Sequence, residues 1–412
     1  MRSLALIVAL LAVTGAIAQS SEPRPQAQVG SLWPFVQGQA DQAKLDWSYL
    51  NPRFGKDVEG WKRGARQQVL ALLHYSHPRC AQQAKVVERV DCGDYIREKL
   101  YFNTTPDIVV PAYVLVPKGE SLPSGPLPKQ GGGVRKRPAV LLLHDHGAFF
   151  LWGKEKVLAI EGENPALTTF RQQYYGGRAV ANELVKRGYV VMVIDMFYWG
   201  ERRMRMAGDP PEWADREKMT GEQIAAFNQR SSSSTWLIGN ALFEAGTTWA
   251  GVMFTDDLRS VDYLASRPDV DANRIGCCGL SVGGFRSAHL AGLDPRIKAA
   301  VVVGWMCSYP TMLKNHLTSI GFWATVPGLQ QIMDLPDVAS MNVPGGLMVI
   351  NGTKDGLFPL DGVKASFAKI AAAYKKAGVP DHFQGVLYDG PHEFNVAMQE
   401  KAFAWLDRFL KK

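Results

Sequence analysis

The stretch Gly276-Cys277-Cys278-Gly279-Leu280-Ser281-Val282-Gly283-Gly284 limits what this chain can become more than any other. Within it, Gly279-Leu280-Ser281-Val282-Gly283 has the form G-x-S-x-G, a strand that breaks sharply into a helix with a serine at the corner. The serine sits in a strained turn, and its neighbours two residues away must be small so that strand and helix can close on each other. Five residues with three fixed positions recur by chance, so the flanks matter. Asn273 to Cys278 is a short apolar run suited to a central strand, Gly284 to Ala291 can continue as a helix, and Lys298 to Val303 is the next strand. Strand, turn, helix and strand is the setting the motif requires.

A serine hydroxyl is a weak nucleophile at neutral pH. It needs a base to take its proton and a buried carboxylate to orient that base. Downstream of an elbow of this kind the expected order is acid, then histidine. Asp355 follows the apolar run Leu347 to Ile350, within Asn351-Gly352-Thr353-Lys354-Asp355-Gly356. His392 lies in Gly390-Pro391-His392-Glu393-Phe394, between the last strand and the last helix. Singly, the aspartate could cap a turn and the histidine could open a helix. In this order and at these element ends, Ser281, Asp355 and His392 form a candidate triad. The alternative acid position, Gly304 to Ser308, holds no carboxylate. An oxyanion would need two amide donors. One is the N–H of Val282. The other comes from the loop His144-Asp145-His146-Gly147-Ala148, where His146 is favoured and Ala148 is the alternative. Two histidines around Asp145 could suggest a metal, but no partner cluster is evident elsewhere, and hydrogen bonds that stiffen the loop are expected instead.

Arg2, the apolar run Leu4 to Val13 and Ala16-Ile17-Ala18 together read as an export signal, residues 1–18, with the mature chain starting at Gln19. The run is too short to span a bilayer comfortably, and no other stretch qualifies. A periplasmic or secreted protein, without a membrane anchor after cleavage, is expected. The net charge of +7 is dispersed. The basic run Lys129, Arg135, Lys136, Arg137 sits in a Pro/Gly-rich loop and reads as solvated rather than as a nucleic-acid site. Five cysteines are few for a disulfide scaffold; Cys80 and Cys92 are close enough in sequence for a bridge in an exported protein, while Cys277 and Cys278 read as buried thiols. Glu201, Arg202, Arg203 and Arg205 read as surface salt bridges, with an acid-binding pocket wall as the alternative.

The chain divides into an N-terminal extension over 19–83, with a helix from Asp57 to Leu73, and a larger α/β part over 84–412. Antiparallel strands are expected at Ala84 to Val90, Tyr95 to Phe102 and Ile108 to Val116, the middle one partly exposed. From Pro138 onward strands alternate with helices, including Tyr175 to Arg187, Thr247 to Ser266, Val363 to Lys376 and Glu393 to Phe409. That rhythm predicts a largely parallel sheet with helices on both faces. Two insertions, about 197–246 and 305–343, leave the carboxyl ends of strands and are rich in aromatic residues. They are expected to form a cap, with Trp199 and Trp305 as candidate substrate contacts.

Leu143-His144-Asp145-His146-Gly147, Val193-Ile194-Asp195, Gly279 to Gly283, Asn351 to Asp355 and Gly390-Pro391-His392 together make the chain, from about residue 85 onward, resemble an α/β hydrolase of the dienelactone hydrolase-like group, near the bacterial acetyl xylan esterases and cephalosporin deacetylases. The resemblance implies an α/β-hydrolase fold, the Ser281-Asp355-His392 triad, an acyl-enzyme intermediate and no cofactor. Two departures stand out: dienelactone hydrolases proper use a cysteine nucleophile, and the loop here reads His-Asp-His-Gly rather than plain His-Gly. Glucuronoyl esterases carry an arginine directly after the nucleophile, where this chain has Val282. The expected activity is hydrolysis of short-acyl esters, small or on a polysaccharide. A peptidase on the same triad and a non-catalytic carbohydrate-binding protein are the alternatives.

Overall fold

A computed structural model of the protein describes residues 33–75, 80–118, 136–313, 316–317 and 320–411. The expected signal, residues 1–18, and Lys129 and Arg135 of the basic run lie outside these residues. Among the described residues there are nine strands: β1 (Lys85–Asp91), β2 (Tyr95–Thr105), β3 (Ile108–Pro117), β4 (Arg137–Leu143), β5 (Val190–Ile194), β6 (Val270–Leu280), β7 (Ile297–Val303), β8 (Gly346–Gly352) and β9 (Phe383–Tyr388). They form one sheet in the order β1-β2-β3-β5-β4-β6-β7-β8-β9. The pairs from β1 to β3 and the β3–β5 pair are antiparallel; every other pair is parallel.

The helices are α1 (Trp33–Asp41), α2 (Val58–Leu72), α3 (Pro165–Tyr175), α4 (Val180–Lys186), α5 (Gly221–Ser233), α6 (Thr235–Glu244), α7 (Trp249–Ser266), α8 (Val282–Leu293), α9 (Leu335–Ser340), α10 (Leu360–Lys376) and α11 (Val396–Leu410), with several single turns between them. Because successive strand residues point to opposite faces, the parallel strands feed two cores. Leu141, Met192, Cys277, Val302 and Val349 pack with α2, α7, α8 and α10 on one face. Leu142, Val193, Cys278, Val301 and Met348 pack with α4 and α11 on the other. This is an α/β-hydrolase fold, with the mostly parallel sheet that the alternation of strands and helices predicts.

Four expectations are corrected. The helix expected over Tyr175 to Arg187 starts only at Val180, as α4: Tyr175 is the last residue of α3, which Gly176 and Gly177, with left-handed φ values of 60° and 78°, bring to an end. The closing helix starts at Val396, where the Asn395 side chain accepts the Met398 N–H, and not at Glu393. The middle antiparallel strand, β2, is mostly buried between its two neighbours, and the exposed edge is β1. Charges on β2 stay inside by pairing: Glu98 meets Arg267 at 2.9 Å. Cys80 and Cys92 are both free thiols. They lie beyond opposite ends of β1, whose seven extended residues hold them roughly 20 Å apart.

Of the two stretches expected as insertions, residues 197–246 carry α5 and α6, the described part of residues 305–343 carries α9 and short turns, and they meet where Phe243 packs edge-on against Phe322 at 5.2 Å. No helix among the described residues is long and apolar enough to cross a membrane.

Candidate active site

Ser281 stands between β6 and α8 with φ 59° and ψ −125°, a left-handed conformation that costs a β-carbon-bearing residue roughly 1–3 kcal/mol. Two backbone bonds hold it there. Its N–H donates to the Val303 carbonyl at 2.8 Å, and its own carbonyl accepts the Phe285 N–H at 3.0 Å. The glycines of the motif have a specific job. A Cβ on Gly279 would sit 2.5 Å from both the Gly283 backbone and the Leu143 carbonyl oxygen, and one on Gly283 would run into that same oxygen. Any side chain at either position would push the elbow off β4.

Asp355 and His392 arrive on neighbouring loops. The loop after β8 is laced to the loop after β9: the Thr353 N–H donates to the Tyr388 carbonyl at 2.8 Å, and the Lys354 N–H to the Gly390 carbonyl at 3.0 Å. Across this joint the Asp355 Oδ2 lies 2.6 Å from His392 Nδ1, while its Oδ1 accepts the Leu357 N–H at 2.9 Å. The His392 ring packs over Gly304, the residue after β7, where a Cβ would be 3.0 Å from Cε1. Since Ser281 is tied to Val303 by its N–H, serine and histidine flank the same strand end. Asp355 and Ser281 are both buried, while the His392 side chain keeps 19% of its surface open.

Burial alone would lower the pKa of His392. The Asp355 charge and hydrogen bond, with the charge of Asp145, outweigh it and raise the imidazole above its ordinary 6.5. Only the neutral ring can accept a proton. The acid limb of kcat/KM on an ester substrate is therefore expected above pH 6.5, with activity falling as pH drops through it. A limb at or below 6.5 in a pH–rate profile would show that this ring is not the base.

The loop after β4 lies against the elbow, since a Cβ on Gly283 would be 3.1 Å from the His144 carbonyl oxygen. His144 is fully buried. Its Nε2 accepts the Met196 N–H at 3.0 Å, so its Nδ1 carries the proton and donates to the Asp145 carbonyl at 2.8 Å. Burial, then the charges of Lys156 and Arg286, push its pKa well down and keep it neutral. With both ring nitrogens engaged, His144 has no lone pair left for a metal. His146 packs among the rings of Phe150, Trp199 and Trp323 at 4.8–5.3 Å, and burial followed by the Lys156 charge pulls its pKa down to about 3. Its Nδ1 accepts the Ala148 N–H at 2.9 Å. That bond removes Ala148 from the two candidate donors. The His146 N–H itself meets no acceptor among the described residues. Val282, the first residue of α8, has an N–H with no intrahelical partner.

The two candidate tryptophans part company. Trp305 lines a largely apolar cavity of about 490 Å³ with Phe285, Met312, Leu317 and Phe358, bounded on its far side by α1. Trp199 is fully buried, stacked on Phe150 at 4.8 Å, and its Nε1 donates to the His146 carbonyl at 3.1 Å. Expected to touch substrate, it instead stands behind the loop that carries His146.

Three consecutive charged residues with no reading in the sequence are part of the site's foundation. Lys154, Glu155 and Lys156 form one 3₁₀ turn and are all buried. Lys154 Nζ contacts Asp195 at 2.7 Å, Glu201 at 2.6 Å and Glu155 at 3.0 Å. Burial works against its charge, but those three carboxylates raise its pKa above the ordinary value. Glu155 also pairs with Arg216, from the first insertion, at 2.8 Å. Glu201 and Arg202 of the arginine-rich run belong to this network, Arg202 through the Asp195 carbonyl at 3.1 Å while it also pairs with Asp256 at 2.7 Å, and they form neither a solvated patch nor a pocket wall. The one usable signal was Asp195, at the end of β5, where an acid inside an α/β sheet needs a cation.

The model of the Abhydrolase family matches residues 31–403. A Bacillus subtilis (strain 168) protein named "Putative hydrolase YtaP" is 25% identical over 346 residues, covering 84% of this chain and 98% of that one. Among solved structures, one titled as a putative acetyl xylan esterase from Bacteroides fragilis superposes with a TM-score of 0.66 at 18% identity, over 87% of this chain and 82% of that one. A glucuronoyl esterase from Solibacter usitatus gives 0.56 at 13% identity, over 83% and 91%. At these identities the two structures speak for the fold.

Proposed function

The chain belongs to the Abhydrolase family, and from that premise we propose that it is an exported serine hydrolase that cleaves carboxylic esters through an acyl-enzyme intermediate. The observation that carries the reading is the Asp355–His392 pair at 2.6 Å, delivered to the strand end where Ser281 stands in its left-handed corner. His392, its Nδ1–H held by Asp355, takes the Ser281 proton at Nε2. The serine oxygen attacks the ester carbonyl. The developing oxyanion is received by the N–H groups of Val282 and His146. His392 then protonates the leaving alcohol, and water activated by the same ring releases the acid.

Short acyl groups, acetyl above all, on a small or polysaccharide alcohol are the substrates this reading favours. The names of the structural relatives point to carbohydrate esters, and the aromatic cap offers flat surfaces for sugar rings. Val282, apolar where glucuronoyl esterases carry arginine, argues against a uronic ester. The export signal in residues 1–18 fits a polymer that does not enter cells.

Rates on p-nitrophenyl acetate, butyrate and octanoate test the acyl preference, with release of acetate from acetylated xylan measured alongside. The expected result is a kcat/KM at least tenfold higher on acetate than on octanoate, roughly 1.4 kcal/mol of discrimination. The reverse order would overturn the short-acyl part and assign the cavity beside Trp305 to a long apolar acyl chain.

A further inference from the structure

We propose that Lys156 is a positioning residue for the oxyanion site: its buried ammonium fixes and polarises the peptide that carries the His146 N–H. The inference rests on the serine-esterase reading above and adds a group that never touches substrate.

Lys156 Nζ is fully buried and donates to two consecutive carbonyls of the loop after β4, those of Asp145 and His146, each at 2.8 Å. Each carbonyl has a second donor. The Asp145 oxygen also receives His144 Nδ1–H at 2.8 Å, and the His146 oxygen receives Trp199 Nε1–H at 3.1 Å and the Phe149 N–H at 3.3 Å. Both oxygens are thus saturated from the buried side. A trans peptide carries its C=O and N–H on opposite sides. Anchoring the Asp145 carbonyl to Lys156 therefore turns the N–H of the next residue, His146, away from the ammonium, and that N–H has no other acceptor.

The charge does more than hold the loop. A cation at the oxygen end of an amide draws electron density from its nitrogen and makes its N–H a stronger donor, and a low-dielectric setting enlarges the effect. The setting here is dry: the ammonium lies 5.3 Å from the centre of the Phe170 ring and 6.0 Å from that of Trp199. Its nearest carboxylate oxygen, Asp145 Oδ2, is 3.5 Å away and accepts no hydrogen bond, while Oδ1 is taken by the Tyr175 hydroxyl at 2.5 Å. A buried ammonium with so loose a counter-ion is costly, and an apolar side chain of the same length would pack more cheaply. Its two tight bonds go to the loop backbone.

The test compares Lys156→Met and Lys156→Arg with wild type. The readouts are kcat and KM on p-nitrophenyl acetate, and the inhibition constant of a trifluoromethyl ketone, which presents an oxyanion when bound. For Lys156→Met the expected result is a kcat about 10- to 100-fold lower, below the cost of deleting a donor outright. KM should stay within about threefold, and affinity for the ketone should fall by the same factor as kcat/KM. Lys156→Arg should recover part of both. A folded Lys156→Met protein with wild-type kcat and ketone affinity would overturn the inference, as would equal losses in kcat and in binding of a non-reacting alcohol analogue. If Lys156→Met does not melt cooperatively, Lys156→Gln, which keeps a neutral N–H donor towards the Asp145 carbonyl but removes the charge, serves instead. It should weaken kcat and the ketone together by about three- to tenfold, and no change in either would overturn the inference. Failure of the underlying reading looks different: wild type itself would then show no Ser281-dependent ester hydrolysis.

Discussion

On the serine-esterase proposal, Ser281→Ala is expected to lower kcat on p-nitrophenyl acetate by roughly 10⁴- to 10⁶-fold and to abolish labelling by a fluorophosphonate, while the protein melts within a few degrees of wild type. The size follows from the removal of the attacking atom with the rest of the site left standing. The Ser281 N–H still bonds to Val303 and its carbonyl to Phe285, so the elbow keeps its shape. Alanine bears the same left-handed strain at φ 59° as serine, so nothing new is asked of the backbone. What remains is the modest rate from water in a site that keeps its two proposed amide donors, and that remaining rate sets the floor of the loss. A Ser281→Ala protein that retains more than about 1% of the activity would place the nucleophile elsewhere.

Asp355→Asn is expected to cost about 10³- to 10⁴-fold in kcat with little change in KM. The local bonding explains why so small a change matters. Asp355 Oδ1 holds the Leu357 N–H at 2.9 Å, and an asparagine oxygen can keep that bond. Its amide NH₂ then faces His392 Nδ1, which must become an acceptor. The ring proton moves to Nε2, the atom that has to take the serine proton, and the base is held in the wrong tautomer. The same substitution removes the first influence that lifts the His392 pKa against its burial, so the acid limb of the residual activity should move to lower pH. An acid limb that stays in place would show that Asp355 neither orients nor charges this ring.

Much of this site could be read from the chain because its chemistry is tied to element ends. Ser281, Asp355 and His392 each follow a short apolar strand, and a strand's end fixes where the next side chain stands. The late start of α4 is explained by Gly176-Gly177, a pair visible in the sequence that the helix expected from Tyr175 runs straight through. Other parts were not readable locally. Lys154-Glu155-Lys156 has the composition of a solvated turn; only the fold brings Asp195, Glu201 and Arg216 around it from more than forty residues away. Trp199 was placed on the right loop but on its wrong side, since no periodicity says which way an irregular segment turns its ring. Cys80 and Cys92 are near in sequence, yet the strand between them is extended. The bond that engages the Ala148 N–H, to His146 Nδ1, is one that only coordinates supply.

The lacing between the loops after β8 and β9 also has a bearing on durability. β9 is the last strand of the sheet and pairs only with β8. A partial opening that frays this border, without melting the centre, would break the bonds between the two loops and draw His392 away from Asp355, leaving the serine in place. The working lifetime of the protein is then set by the local opening free energy of its border, which can be well below the global value. Amide hydrogen exchange at Tyr388 and Gly390 would report that opening directly, and a covalent adduct on Ser281 that also contacts His392 would be felt there first.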